Sequence, residues 1–317
     1  MWKGEKDMKG PKILGVSCSH RKKGYSASLL LAALEGAKSL ENVTVEAIYL
    51  SDYKISPCTS CFSCIRDPEH TCILDDDFGR NGKGVLFQKI ANTNAIIVSH
   101  PVYMWDISAQ CHLFFERLYP FVWMDRLNGI PFASMSCASN QGMHMEANRT
   151  LSKFAFEFGM KYIGGLPVHL AFYDEALGQA KTLGARVAEA AITDFNLGRQ
   201  KMDDKTRWAY YLDKPWKHLD VYLENLTRGS LKSDDSMIEY GLKKTFKNKE
   251  AIELLKKARR HLDEALRQYK SKNMAEANIQ TVYASSYWTN ATWKEFLESQ
   301  VVGAKQPVVY KPLPRNE

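Results

Sequence analysis

No stretch of the 317-residue chain approaches the roughly 18 uninterrupted apolar residues that a membrane helix needs; His100, Asp106 or Arg117 breaks the longest candidates. No membrane association is expected. The opening residues, MWKGEKDMKGPK, lack the apolar core of a secretory signal. The expected compartment is therefore the reducing cytoplasm, where disulfides do not serve as scaffolding. Also missing are the G-x-G-x-x-G fingerprint, the Walker loop, the G-x-S-x-G elbow, H-E-x-x-H and an acid–base carboxylate pair. Dinucleotide Rossmann sites, nucleotide triphosphatases and the common hydrolases lose ground accordingly. There is no internal repeat. Hydrophobic residues at 45% and charged residues at 25% are ordinary globular values. Lys and Arg outnumber Asp and Glu by 43 to 36, with most of the excess after residue 200. Lys256, Lys257, Arg259 and Arg260 share a helix with Asp263 and Glu264, which reads as a solvated face and not a nucleic-acid surface. It suits an acidic, ferredoxin-like protein partner.

What is present reads as alternating strand and helix. Short apolar runs over 12–17, 43–50, 95–99, 131–136 and 162–169 predict strands, and 26–40, 84–91, 108–119, 145–159 and 175–197 predict helices. Such alternation implies crossover connections and a parallel sheet covered on both faces. Five units in under 200 residues fit an α/β, doubly wound, five-stranded sheet of order 2-1-3-4-5, with its ligand beyond the carboxyl ends of the strands. After about residue 200 the strand signals stop. Helices are expected from Asp213 or Pro215 to Gly229, from an Asn248 cap through the stripe Ile252, Leu255, Leu262, Leu266 and Tyr269, and from about Thr289 or Asn290 to Val301. The expected domains are 11–198, a helical extension over 199–303, and a proline-containing extended tail over 304–317.

Residues 15–28, GVSCSHRKKGYSAS, run from the first strand into the first helix as a loop of hydroxyls and basic residues. Backbone N–H groups and the helix dipole favour a phosphate there. Ser19 and Ser26 can donate to it and Arg21 adds charge. The alternative is a polar turn with a helix cap. Tyr103 and Trp105 follow a buried strand and suit a flat, electron-poor ring, or else fill the core.

Of seven cysteines, Cys58, Cys61, Cys64 and Cys72 form a C-x2-C-x2-C-x7-C box. Three thiols two residues apart, closed by a fourth, match the tight spacing of a 4Fe–4S cluster. Structural zinc more often uses two separated knuckles. A Cys3His site through His70, packed thiols and a redox-active pair are the other readings. Cys18, Cys111 and Cys137 read as buried small hydrophobes. The acidic run 75–77 reads as an N-terminal cap of the following helix.

The loop GVSCSHRKKGYS, the box CTSCFSCIRDPEHTCILDDDF and the segment HPVYMWDISAQ (100–110), in that order and spacing, resemble the NAD(P)H-dependent FMN reductases and iron–sulfur flavoproteins of the flavodoxin-like superfamily. The resemblance covers roughly residues 11–198. It implies FMN, its phosphate held by Ser19, Arg21 and Ser26 with Ser17 nearby. The isoalloxazine would be lined by Pro101, Val102, Tyr103, Met104 and Trp105, and a looser third loop would be formed by Ala138, Ser139, Asn140 and Gly142. The family's Gly-Ser-Pro is Cys18-Ser19-His20 here, and its Asn before the hydroxyl residue is Tyr25. The resemblance further implies electron transfer between a reduced donor, NAD(P)H among the candidates, and an acceptor through FMN and a 4Fe–4S cluster, and a homo-oligomer. The alternatives are a cluster-free flavin or quinone reductase, and a zinc-binding redox-sensing or docking module.

Overall fold

The computed structural model describes residues 10–140 and 142–301. The expected tail over 304–317, and Gln141 within the 138–142 loop, lie outside the described residues. The described residues divide into two compact units, one built from 10–64 and 69–201, the other from Ile65–Pro68 and 202–301. Among the described residues no helix is long and apolar enough to cross a membrane.

The first unit is built on β1 (Lys12–Ser17), β2 (Thr44–Tyr49), β3 (Ala95–Tyr103), β4 (Asp106–Ile107), β5 (Pro131–Ala138) and β6 (Lys161–His169). The parallel order is β2-β1-β3-β5-β6. With β4 set aside this is the doubly wound 2-1-3-4-5 order. The extra strand corrects the expected count: two residues fold back antiparallel on the end of β3, too short a segment to show alternation. Ile13, Ala95, Ile97, Ala133 and Met135 pack under α1 (Tyr25–Lys38) with residues of a later helix, Ala180, Leu183 and Val187. The alternate strand residues Leu14, Val16, Ile96, Val98 and Phe132 are buried on the other face.

The short α2 (Ser63–Arg66) begins in this unit, whose remaining helices are α3 (Val85–Ala91), α4 (Ala109–Arg117), α5 (Tyr119–Met124), α6 (His144–Glu157) and α7 (Tyr173–Leu197). The helix expected over 108–119 is α4, ending at Arg117, and an unexpected second helix, α5, follows it. Pro120 stands in the first turn of α5, where its missing N–H costs nothing, and it cannot continue α4. Aromatic pairs fill this face of the sheet: Phe87 stacks on Phe121 at 4.7 Å and Phe115 on Phe154 at 4.5 Å between ring centroids.

Helices α1 and α7 touch backbone to backbone. A Cβ at Gly184 would lie 1.8 Å from the Ala33 carbonyl oxygen, and one at Gly36 would lie 2.0 Å from that of Lys181. Gly184→Ala is expected to destabilise the protein by about 1–3 kcal/mol through overpacking. Gly178→Ala, on the same helix with nothing within 4 Å of the added atom, is expected to stabilise it by up to about 1 kcal/mol through helix propensity. Thermal melts of both variants check the contrast.

The second unit contains α8 (Asp204–Tyr210), α9 (His218–Leu226), α10 (Met237–Tyr240), α11 (Lys249–Lys270) and α12 (Met274–Thr292). Asn248 caps α11 as expected, accepting from the Glu250 and Ala251 N–H groups. The stripe Leu255, Leu262 and Leu266 is covered from within the unit, by Leu219 and Leu223 of α9 and by Ala284 and Tyr287 of α12. Two expectations are corrected. The helix expected from Asp213 or Pro215 begins at His218. The helix expected from Thr289 or Asn290 is the end of α12, which starts at Met274 and closes in a π-turn over Trp293–Leu297. Its buried face is built from small and polar residues such as Asn278, Thr281, Ser285 and Ser286, so hydropathy carries no periodic signal. Arg259 is not freely solvated: it pairs with Asp234, Glu239 and Asp263.

Candidate functional site

The strands β1, β3 and β5 are neighbours, with Ser17 opposite Ser99 and Pro101 opposite Cys137. The loops that follow them therefore meet at one edge, where the strand order reverses on either side of β1. This brings together the three segments expected to act on one ligand.

In the first loop Ser17, Ser19 and Ser26 are buried, whereas Arg21 is exposed. Ser19 Oγ accepts from the Arg21 N–H at 3.1 Å, and Arg21 C=O accepts from the Gly24 N–H at 2.9 Å, which closes the turn into α1. Gly24 caps α1 without a side chain, so no hydroxyl or carboxylate occupies the place an anion would take. Ser17 Oγ is buried and has no protein partner. A buried hydroxyl without a partner is costly, and a ligand oxygen would satisfy it. Hydroxyls, uncapped helix and Arg21 together fit a phosphate.

The second loop is strained. Tyr103 pairs with Asp106 across the β3–β4 hairpin, and the two residues between them, Met104 and Trp105, have φ of 49° and 69°. Positive φ at both central residues is the habit of a type I′ turn, normally made by Asn and Gly. Two bulky residues held there cost roughly 1–2 kcal/mol each. Their side chains are nonetheless exposed, Met104 at 95% and Trp105 at 63%, beside Tyr103 at 51%. Exposed as they are, these side chains do not fill the core. Pro101 and Val102 are half-buried at its base. Beneath it lies His100, fully buried, with Nδ1 on the Pro101 carbonyl at 2.9 Å and Nε2 without a protein partner. Burial pushes its pKa down to about 4, so the ring is neutral near pH 7.

In the third loop Ala138 is buried, and Ser139 and Asn140 are exposed. Gly142 has φ +93°, where a Cβ would be strained. Two histidines that the sequence did not single out stand here. His169 Nε2 lies 2.8 Å from the Asn140 carbonyl, and its ring is 5.9 Å from that of His144. Burial, then the neighbouring His169, lowers the pKa of His144.

The cysteine box forms a second site in the same unit. Ser60 and Phe62 both adopt positive φ between the cysteines and turn the chain so that Cys58, Cys61, Cys64 and Cys72 all line one cavity of about 400 Å³. Its wall is largely apolar, made by Phe115, Phe154, Phe158, Val122, Ile73 and Leu74 among others. Burial, then the other three thiols, pushes Cys64 up to about 12. The Ser63 hydroxyl lowers the pKa of Cys61. Among the described residues no three His, Cys, Asp or Glu side chains converge on a point fit for a single metal ion. His70 has Nδ1 2.9 Å from the Cys64 carbonyl. Cys18, Cys111 and Cys137 are buried elsewhere in the fold.

The acidic run 75–77 does not cap a helix, which corrects that expectation: α3 begins only at Val85. Asp76 instead holds the cavity together. It is 0% exposed and receives Arg117 Nη1 at 2.5 Å, together with the N–H groups of Ser56, Phe78 and Gly79. Burial alone would raise its pKa, but the Arg117 hydrogen bond and these N–H groups hold it below the ordinary value of 3.8. Arg117, at the end of α4, also donates to the Ser56 carbonyl and to Cys72 Sγ, the latter at 3.3 Å. The preceding residue, Glu116, accepts from the Cys58 N–H at 2.7 Å.

The family described as NADPH-dependent FMN reductase matches residues 11–175. An iron-sulfur flavoprotein of Archaeoglobus fulgidus is 29% identical over 194 residues, 59% of this chain and 83% of its own length. One of Methanosarcina thermophila is 34% identical over 106 residues, 33% of this chain and 51% of its own. Among solved structures a flavone reductase is similar at 21% identity and a TM-score of 0.45, over 61% of this chain and 66% of that one. The matched span takes in the sheet, the phosphate-type loop, the strained aromatic turn and the cysteine box. The chain belongs to the NADPH-dependent FMN reductase family and is an FMN-dependent oxidoreductase.

Proposed function

We propose that the chain is an iron–sulfur flavoprotein that passes electrons between a reduced donor and an acceptor through FMN and a 4Fe–4S cluster. Bound FMN accepts electrons in pairs and releases them singly, and a cubane takes one at a time, so the two together convert two-electron into one-electron transfer. The observation that carries the reading is the joining of both sites by one helix. Helix α4 starts at the Ser108 cap, directly after the strained turn, and ends at Arg117 on the cysteine cavity. Nine residues at 1.5 Å rise span about 14 Å.

In this reading Ser17, Ser19, Ser26 and the uncapped start of α1 would hold the FMN phosphate, and the exposed Arg21 would add charge beside it. Pro101, Val102, Tyr103, Met104 and Trp105 would line the ring, and Ala138, Ser139, Asn140 and Gly142 would contact the flavin as a looser third loop. Cys58, Cys61, Cys64 and Cys72 are the cluster ligands. Their C-x2-C-x2-C-x7-C spacing suits a cubane better than zinc, whose structural sites more often use two separated knuckles. Phe115, Phe154 and Phe158 make the wall of their cavity apolar. Iron, sulfide and flavin assays on anaerobically purified protein test the proposal. FMN together with iron and sulfide in equal amounts is expected, and flavin alone would leave a cluster-free reductase.

A further inference from the structure

We infer that Arg117 sets the reduction potential of the centre held by the cysteine box, acting through Cys72. The inference rests on the iron–sulfur reading above and concerns a residue outside the ligand set. Three observations carry it. First, Arg117 Nη2 donates to Cys72 Sγ at 3.3 Å, a charge-assisted hydrogen bond onto one ligand sulfur. Second, the guanidinium is fixed. It is 2% exposed, gripped by both Asp76 oxygens at 2.5 and 3.2 Å, bonded to the Ser56 carbonyl, and set 5.2 Å from the Phe78 ring centroid. Third, of the described residues lining the cavity Arg117 is the one Lys or Arg, set against Glu116 and Glu157.

Each electron taken up adds one negative charge to the cluster and its four thiolates, with no bond made or broken. A donor N–H and a fixed cation at one sulfur stabilise that added charge, and hydrogen bonds to sulfur and net charge are among the levers that set such potentials. Asp76 partly offsets the cation, but its oxygens are occupied by Arg117 and three backbone N–H groups, whereas Arg117 keeps an N–H on the sulfur. Arg117 thus acts as a positioning residue that raises the potential and makes the centre easier for a flavin to reduce.

The test begins with iron and sulfide in the wild-type protein. Their absence overturns the iron–sulfur reading itself, before any variant is made. With the cluster present, the midpoint is measured by redox titration followed by electron paramagnetic resonance. The variants are Arg117→Lys and the double variant Arg117→Gln with Asp76→Asn, which leaves no lone buried charge. At the wild-type midpoint the double variant is expected to lose about tenfold in its ratio of reduced to oxidised cluster, a shift of about 59 mV to lower potential for one electron. Arg117→Lys, which keeps the charge, should shift less. An unmoved midpoint in a double variant that retains its iron overturns the inference. If the double variant loses its cluster, the wild-type protein decides. With 15N-labelled arginine, the reduced centre should show a nitrogen coupling by electron–nuclear double resonance, and a spectrum without one overturns it.

Discussion

Asp76→Ala is expected to cost about 3–5 kcal/mol, because it leaves the buried Arg117 guanidinium without its counter-charge and strips partners from the N–H groups of Ser56, Phe78 and Gly79. The cost is the penalty of the orphaned charge and not the net worth of the pair. Asp76→Asn, which keeps an acceptor oxygen, should lose less. Urea unfolding under argon checks both, and a variant within about 1 kcal/mol of wild type would show that water reaches Arg117 after all. The pH dependence has a definite sign. The folded-state pKa of Asp76 is depressed below 3.8. Its contribution is therefore complete above the unfolded value, near pH 4, and is lost as pH falls through the lower folded value. The gap between wild type and Asp76→Ala should stay constant from neutral pH to about pH 5 and narrow steadily below about pH 4.

How much of this was legible in the sequence follows from the range of the interactions involved. The strands of the first unit read correctly to within a few residues, because parallel strands buried on both faces are continuous apolar runs. The cysteine box and the phosphate-type loop were legible as segments, each being local in sequence. The run 75–77 misled because its partner, Arg117, is 41 residues away. An Arg in an amphipathic helix reads as solvated until the fold buries it. The turn at Met104 and Trp105 gave no signal, since neither residue favours positive φ; the chain is held there by the β3–β4 pairing and by Thr150, whose hydroxyl donates to Asp106 at 2.8 Å. His144 opens α6 and His169 ends β6, so they meet only in three dimensions. Helix α12 escaped detection for the opposite reason: its buried face is polar, with Thr281 bonded back to Ala277 and His218 reaching Asn278.

The second large effect separates the two sites. Cys61→Ser and Cys64→Ser are each expected to lower iron content by roughly tenfold or more, since a cubane needs four thiolates and a hydroxyl is a poor substitute. Flavin content should hold, because the phosphate-type loop and the strained turn take no support from either thiol. Cys137→Ala serves as the control. Its thiol is pushed up to about 11 by burial, it lies outside the cavity, and its loss should leave iron intact. The reciprocal pair, Arg21→Ala and Ser26→Ala, should weaken flavin retention and spare the iron. Each removes at most one charge-assisted or neutral hydrogen bond to the phosphate, so the loss is about 1–3 kcal/mol, roughly five- to more than a hundredfold in affinity. In steady state the cysteine variants should still oxidise NADPH with a two-electron quinone acceptor, while reduction of an obligate one-electron protein acceptor falls by roughly tenfold or more. If both acceptors are served equally well without iron, the box is structural. The route from the strained turn along α4 to Arg117 then carries no electrons, and the chain is a flavin reductase with a packed cluster of thiols. If iron and flavin are instead lost together from either set of variants, the sites are one folding unit, and α4 couples them mechanically through Ser108 at one end and Arg117 at the other.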